Sequence, residues 1–257
     1  MTRLDAAHAA MEAAPEDETL RLRYYDRLVE TELVLLLEAT PKGEVISPRV
    51  VPLEDGEVVL AFDTEARLAA FAGEAAYAEL SGRRLLGLLA GQGLGLGVNL
   101  GVASSAFLLD AAGVDWLADA LSHAPAEMEA RPVEVAPPGA VPEAVVAALD
   151  AKLPAAAGLT SAAYLAGVGY ADGRSAHLLA FADVADGAER ALAAAVGEAL
   201  VFSGVEAGAL DVAFLGAQDP LLPVFARHAL RFDIPARAEA VSPTGPGTDP
   251  DRPPRLR

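Results

Sequence analysis

Between Leu85 and Leu109 the chain runs for 25 residues without a charge, flanked by Arg83 and Arg84 on one side and Asp110 on the other. A segment of that length can cross a bilayer as one helix. It must therefore enter lipid or be buried inside a fold. Its composition favours the fold. It holds six glycines (87, 91, 93, 95, 97 and 101) together with Gln92, Asn99, Ser104 and Ser105, a poor mixture for a membrane helix. Its period also changes midway. Leu85, Leu86, Leu88 and Leu89 suit a helical turn, whereas Leu94, Leu96, Val98 and Leu100 alternate strictly, as in a strand. A single membrane helix does not switch period at Gly91-Gln92-Gly93. The segment reads as helix, turn and strand in a protein core, and no membrane association is expected.

The rest of the chain supplies enough apolar material for such a core. Of 257 residues, 57 are alanine and 79 are large apolar types. That excludes wholesale disorder. The length allows one large domain or two of roughly 100–130 residues. There is no cysteine, so disulfides and thiol chemistry are excluded. The net charge of −18 disfavours nucleic acid, whose binding depends on clustered Lys and Arg. Only Lys42 and Lys152 are lysines; the other 17 basic residues are arginine. The N-terminus has no apolar run of signal-peptide length before Glu12, Glu16, Asp17 and Glu18, so the expected location is cytoplasmic.

The chain divides by composition. Residues 124–141 are rich in Pro and Ala and read as a linker, with a short strand at Val133–Val135. Residues 236–257 carry Pro243, Pro246, Pro250, Pro253 and Pro254 and read as a disordered tail. The expected domains are thus 1–123 and 142–235. In the first, a helix over 18–31 precedes a buried strand at Leu33–Leu37. Strands Glu44–Leu53 and Glu57–Phe62 follow, joined by the hairpin signal Glu54-Asp55-Gly56. Asp63 is expected to cap the next helix. A strand at Tyr77–Leu80, a helix at 82–90, strands at 94–100 and 105–109 and a closing helix through Val114, Leu117 and Leu121 complete it. The second domain reads as helix 142–152, strands 159–169 and 175–182, helix 186–200, strand 210–215, helix 219–228 and a last strand Ala229–Phe232. The fold class is α+β, with two mixed-sheet domains.

The two domains echo each other. Leu60-Ala61-Phe62-Asp63 resembles Leu179-Ala180-Phe181-Ala182-Asp183, and Ala106-Phe107-Leu108 resembles Ala213-Phe214-Leu215. Two related units are expected, the first with a strand and helix inserted.

Chemistry is harder to find. The run Gly91–Gly97 lacks the spacing of a dinucleotide loop, and a helix precedes it while a strand follows, the reverse of the order needed. The four histidines, His8, His123, His177 and His228, form no metal-ligand pattern. Gly101-Val102-Ala103-Ser104-Ser105 is no nucleophile elbow, because a strand follows it. No catalytic residue, cofactor site or metal site is expected. Trp116, the only tryptophan, lies on the flank of its helix's apolar stripe, where a partly buried core indole is the more usual arrangement and an exposed one can anchor a partner.

Several segments resemble a known family. Tyr24-Tyr25-Asp26-Arg27-Leu28 ends a helix, and the strand Leu33–Glu38 follows. Val59-Leu60-Ala61-Phe62-Asp63 then leads to the Gly-rich run ending Gly97-Val98-Asn99-Leu100-Gly101. These resemble the N-terminal domain of the SseB-like (enhanced serine sensitivity) proteins. Pro142 through Ala162-Ala163-Tyr164-Leu165 to Arg231-Phe232-Asp233 looks like that family's C-terminal domain. The family often has Asn-Pro-Gly where this chain has Asn99-Leu100-Gly101. The resemblance implies a cytoplasmic bacterial protein linked to serine sensitivity, and carries no catalytic residues. The expected function is a non-enzymatic, protein-binding or regulatory module. Gln92, Leu94, Asn99, Ser104 and Trp116 are its candidate contacts. A second reading stays open: a small-molecule (amino-acid) sensor, or an enzyme of serine-related metabolism, with a pocket near Asn99, Ser104 or His177.

Overall fold

The computed structural model describes residues 1–41, 46–54, 56–122, 132–204 and 210–236. Within them lie two mixed sheets and eight α-helices, an α+β fold. Among the described residues no helix is long and apolar enough to cross a membrane. The uncharged stretch is instead helix α4 (Gly82–Leu89), a turn, and strands β5 (Leu94–Val98) and β6 (Phe107–Leu109).

The first sheet also contains β1 (Glu32–Leu36), β2 (Val50–Leu53), β3 (Gly56–Phe62) and β4 (Tyr77–Ser81), in the order β4-β1-β3-β5-β6. β5 runs parallel to β3 and fills one of its edges. On the other edge β1 pairs antiparallel with the end of β3 (Leu35 with Ala61), and β2 with its start (Val50 with Val59). The chain thus leaves this edge at Leu37, which bridges to Pro48, and rejoins it as β2. The expected strand Glu44–Leu53 is shortened accordingly. Residues 42–45 and Asp55 of the expected hairpin turn lie outside the described residues.

Side-chain alternation fixes what covers each face. Leu33, Leu35, Val59, Ala61, Leu96 and Val98 point to one side. There they pack under α1 (Arg3–Ala13), α2 (Glu18–Glu30), α4 and α5 (Ala111–Ser122). Val34, Leu36, Val58, Leu60 and Phe62 point to the other side and meet Leu68 of α3 (Glu65–Ala72). Burial on both faces explains why β1 reads as an unbroken apolar run rather than an alternating one.

The second sheet has the order β10-β9-β8-β11, with β7 also on β8. Its strands are β7 (Pro132–Ala136), β8 (Ala162–Tyr170), β9 (Ser175–Ala182), β10 (Leu210–Leu215) and β11 (Leu230–Asp233). Ala163, Leu165, Leu179 and Phe181 meet α6 (Glu143–Lys152) and α7 (Glu189–Ser203), and the opposite face meets Phe225 of α8 (Leu222–His228). Strand β7 lies inside the expected linker, so the second unit begins by Pro132. The remainder of that linker through residue 131, and the expected tail beyond Ala236, lie outside the described residues.

The expected echo holds for three strands. β1 with β2, then β3, then β5 repeats β8, β9 and β10: an antiparallel neighbour followed by a parallel one. β4 stands beside β1 where β11 stands beside β8. The second sequence pairing fails. Ala106-Phe107-Leu108 enters β6, antiparallel on the far side of β5, whereas Ala213-Phe214-Leu215 belongs to β10, parallel and next to β9. The positional counterpart of β10 is β5.

The units meet through their helix layers, α2 against α7, and Phe202 of α7 is buried in the first unit's core. The close approach of α4 to α2 depends on Gly82, where a Cβ would lie 2.1 Å from the Leu28 carbonyl oxygen.

Candidate functional site

Among the described residues the only parallel pair in the first sheet, β3 and β5, ends at Asp63 and Asn99. In α/β sheets the carboxyl ends of parallel strands are where ligands bind. Here the ends carry a buried polar network. Asn99 holds a left-handed backbone (φ 52°), an unusual conformation for a side-chain-bearing residue, and is fully buried. Its Oδ1 accepts from the Asp63 backbone N–H at 3.1 Å, and its Nδ2 donates to Ser105 Oγ at 3.3 Å. Ser105 Oγ in turn donates to Asp5 Oδ1 at 2.5 Å. Arg67, one turn into α3, donates Nη2 to Asp5 Oδ2 at 2.7 Å and Nη1 to Asp63 Oδ1 at 2.6 Å. Thr2 Oγ1 donates to Asp63 Oδ2 at 2.5 Å. Arg67, with help from Ser105 and the Thr2 N–H, outweighs burial and holds the Asp5 carboxyl far below the ordinary range.

Asp63 was expected to cap α3. The structure gives that role to Thr64, whose hydroxyl accepts from the Arg67 N–H, and this frees Asp63 to face Arg67 and Thr2. A cavity of about 310 Å³ opens beside the network, lined by Thr2, Leu4, Arg27, Glu30, Thr31 and Asp63.

A second polar cluster lies between the units. Lys152, at the end of α6, is only 9% exposed and places Nζ 2.6 Å from Asp26, 2.9 Å from Glu30 and 3.4 Å from Glu198. Arg83 of α4 grips Glu198 with both guanidinium nitrogens, at 2.6 and 2.7 Å. Three carboxylates share one ammonium. Burial, reinforced by the charge of Glu30, pushes the Asp26 carboxyl up, although Lys152 opposes the rise. Burial would lower the Lys152 ammonium, but Asp26 and Glu30 outweigh it and the net direction is up. Next to this cluster a cavity of about 400 Å³ opens, its body made of apolar side chains such as Leu149, Leu153, Phe181, Leu192 and Val196.

Of the sequence-derived contact residues, Gln92 and Ser104 are exposed, Leu94 is half-buried and Trp116 is 47% exposed. Asn99 has no free surface, because its side chain is consumed by the network. Its neighbour in the chemistry is Ser105, not the exposed Ser104. The Gly91 N–H donates to Asp115 Oδ1 at 2.8 Å, tying the Gln92 turn to α5 beside Trp116. The indole rests on Tyr25, 6.0 Å between ring centroids. His177 lines neither of the two cavities described above, and its Nε2 lies 2.7 Å from the Pro138 carbonyl oxygen. Among the described residues no group of three His, Asp or Glu side chains is placed to hold a metal ion.

Helix α1 and the Lys152 cluster were not foreseen. Signals existed for both. Thr2-Arg3-Leu4-Asp5 forms a capping box, and Leu4, His8 and Met11 are spaced to share one helix face. Lys152 is one of only two lysines in a chain whose other 17 basic residues are arginine. No protein-family model, curated protein or solved structure matches this chain.

Proposed function

We propose that this chain is a non-enzymatic, SseB-like protein of the cytoplasm that works by binding another protein. The observation that carries the reading is Trp116. A half-exposed tryptophan, braced from behind by Tyr25 and flanked by a turn pinned to its own helix, has the form of an interface anchor: large, rigid and partly desolvated in advance. The ionic side chains of the two buried clusters are engaged with one another, which supports a binding role over a chemical one. The acid-rich surface suits a partner whose socket for the indole has a basic rim.

The test is a pull-down from the native host with the full chain and with Trp116→Ala. Loss of about 2 kcal/mol at an anchor residue weakens binding roughly 30-fold, so a specific partner should be recovered by the wild type and lost with the variant. A partner retained equally by both would refute the anchor.

The small-molecule reading has one observation in its favour, the network at the ends of β3 and β5.

A further inference from the structure

We propose that Arg67, Ser105, Asn99 and Asp63 form a receptor for the carboxylate and ammonium of a small α-amino acid, and that the Thr2–Asp5 turn of α1 is its built-in occupant. This rests on the small-molecule reading and is independent of Trp116.

The receptor is assembled from separate segments: the ends of β3 and β5, the first turn of α3, and the loop before β6. Both oxygens of the Asp5 carboxylate are received. Ser105 serves Oδ1, and Arg67 serves Oδ2 together with the Thr2 N–H. Asn99 orients Ser105 from below while holding a strained backbone. Beside this carboxylate site, Asp63 Oδ2 takes a donor, now the Thr2 hydroxyl. The turn thus presents a carboxylate beside an O–H donor, and an amino-acid zwitterion presents the same pair with an ammonium in place of the hydroxyl.

The occupant is suited to leave. α1 has 11 residues, short for an independent helix, and its buried side chains are Leu4, Asp5, His8 and Met11. Its capping box is internal, with the Asp5 N–H donating to Thr2 Oγ1 at 3.1 Å and the Thr2 N–H to Asp5 Oδ2 at 2.8 Å. The turn therefore keeps its own cap when withdrawn. The 310 Å³ cavity lined by Thr2 and Asp63 gives a ligand access to the donor-accepting side. Beneath α1, the fully buried Tyr24 hydroxyl has no hydrogen-bond partner among the described residues. A displaced α1 opens the layer in which that hydroxyl lies.

The test is chemical rescue in the full chain. Asp5→Ala empties the carboxylate position. Acetate or glycine, supplied at about tenfold over its Kd, should then raise the melting temperature of Asp5→Ala by roughly 3–6 °C, while chloride at equal ionic strength should not. The rise should vanish in Asp5→Ala/Arg67→Gln. In Thr2→Ala/Asp5→Ala, which also frees Asp63 Oδ2 of the Thr2 hydroxyl, a larger response to glycine than to acetate supports the ammonium contact at Asp63; equal responses overturn that part. No rescue by either, or rescue that survives loss of Arg67, overturns the receptor. Should Asp5→Ala fail to fold, recovery of its circular dichroism on adding acetate or glycine is the same rescue, and failure to recover counts against the receptor. A thermal shift of the wild type by amino acids that persists in Arg67→Gln would retain a sensor but discard this site.

Discussion

Replacing Lys152 by methionine isolates what the inter-unit cluster contributes. Methionine keeps an apolar stem of similar length and removes the ammonium. Three carboxylates then lose their shared cation, but not equally. Glu198 keeps both bonds from Arg83, and Glu30 keeps Arg27 at 3.2 Å. Asp26 is the group left stranded. Removing one partner of a buried ion pair costs about 3–5 kcal/mol. With two of the three carboxylates still paired, the lower end applies, about 3 kcal/mol. For a chain of this size that is a fall of roughly 6–12 °C in melting temperature. The sign of the pH dependence follows from Asp26. Burial already raises its pKa in the folded protein, and without Lys152 the rise grows. A carboxyl whose folded pKa exceeds its unfolded value binds protons more readily when folded, so stability falls as pH rises through that interval. The deficit of Lys152→Met should therefore be larger at about pH 8 than at about pH 5. Adding Asp26→Asn should recover much of it. Urea unfolding followed by circular dichroism at both pH values measures all three quantities. A loss below about 1 kcal/mol, an unchanged deficit between the two pH values, or a double variant no better than the single one would refute the reasoning.

Other substitutions test packing and the network. Gly82→Ala forces a methyl against the Leu28 carbonyl and should cost about 1–3 kcal/mol. Gly87→Ala, in the same helix and with open space around the new methyl, should gain about 0.5–1 kcal/mol; paired thermal melts compare them. Tyr24→Phe removes a buried hydroxyl that has no partner among the described residues and should leave stability unchanged or raise it by about 1 kcal/mol; a clear loss in urea melts would mean that the hydroxyl is bonded in solution. Asn99→Ala loses both side-chain bonds and adds left-handed strain, about 2–4 kcal/mol in all. Asn99→Gly is relieved of the strain alone and should melt above the alanine variant.

What could be read in the sequence is what repeats with a short period. The switch from helical to alternating leucines at Gly91–Gly93 placed α4 and β5, and the caps at Asp17 and Ser81 lie where helix starts were expected. The fold class followed from the order of these elements. α1 was missed because its inward face uses histidine at position 8 and its remaining apolar residues are mostly alanine, which leaves little amphipathic contrast. The network was half legible. Asn99 drew attention through the segment around it, but Asp5, Arg67 and Ser105 of the same network come from distant parts of the chain, and the packing of α1, α3 and the loop before β6 around the ends of β3 and β5 brings them together. The Lys152 cluster is assembled across 126 residues from Asp26; no local pattern encodes it. The second echo misled because β6 and β10 share a motif suited to any half-buried strand before a helix.

Phe202 belongs to one half by chain position and to the other by where its ring is housed. A polypeptide ending after Ser122 would carry a vacant socket for that ring, and its complement would carry a bare phenyl group. Descendants of such a gene cannot shed or shuffle either half cheaply. The pair should be inherited as one cassette, in this order, even where the outer loops have diverged beyond recognition.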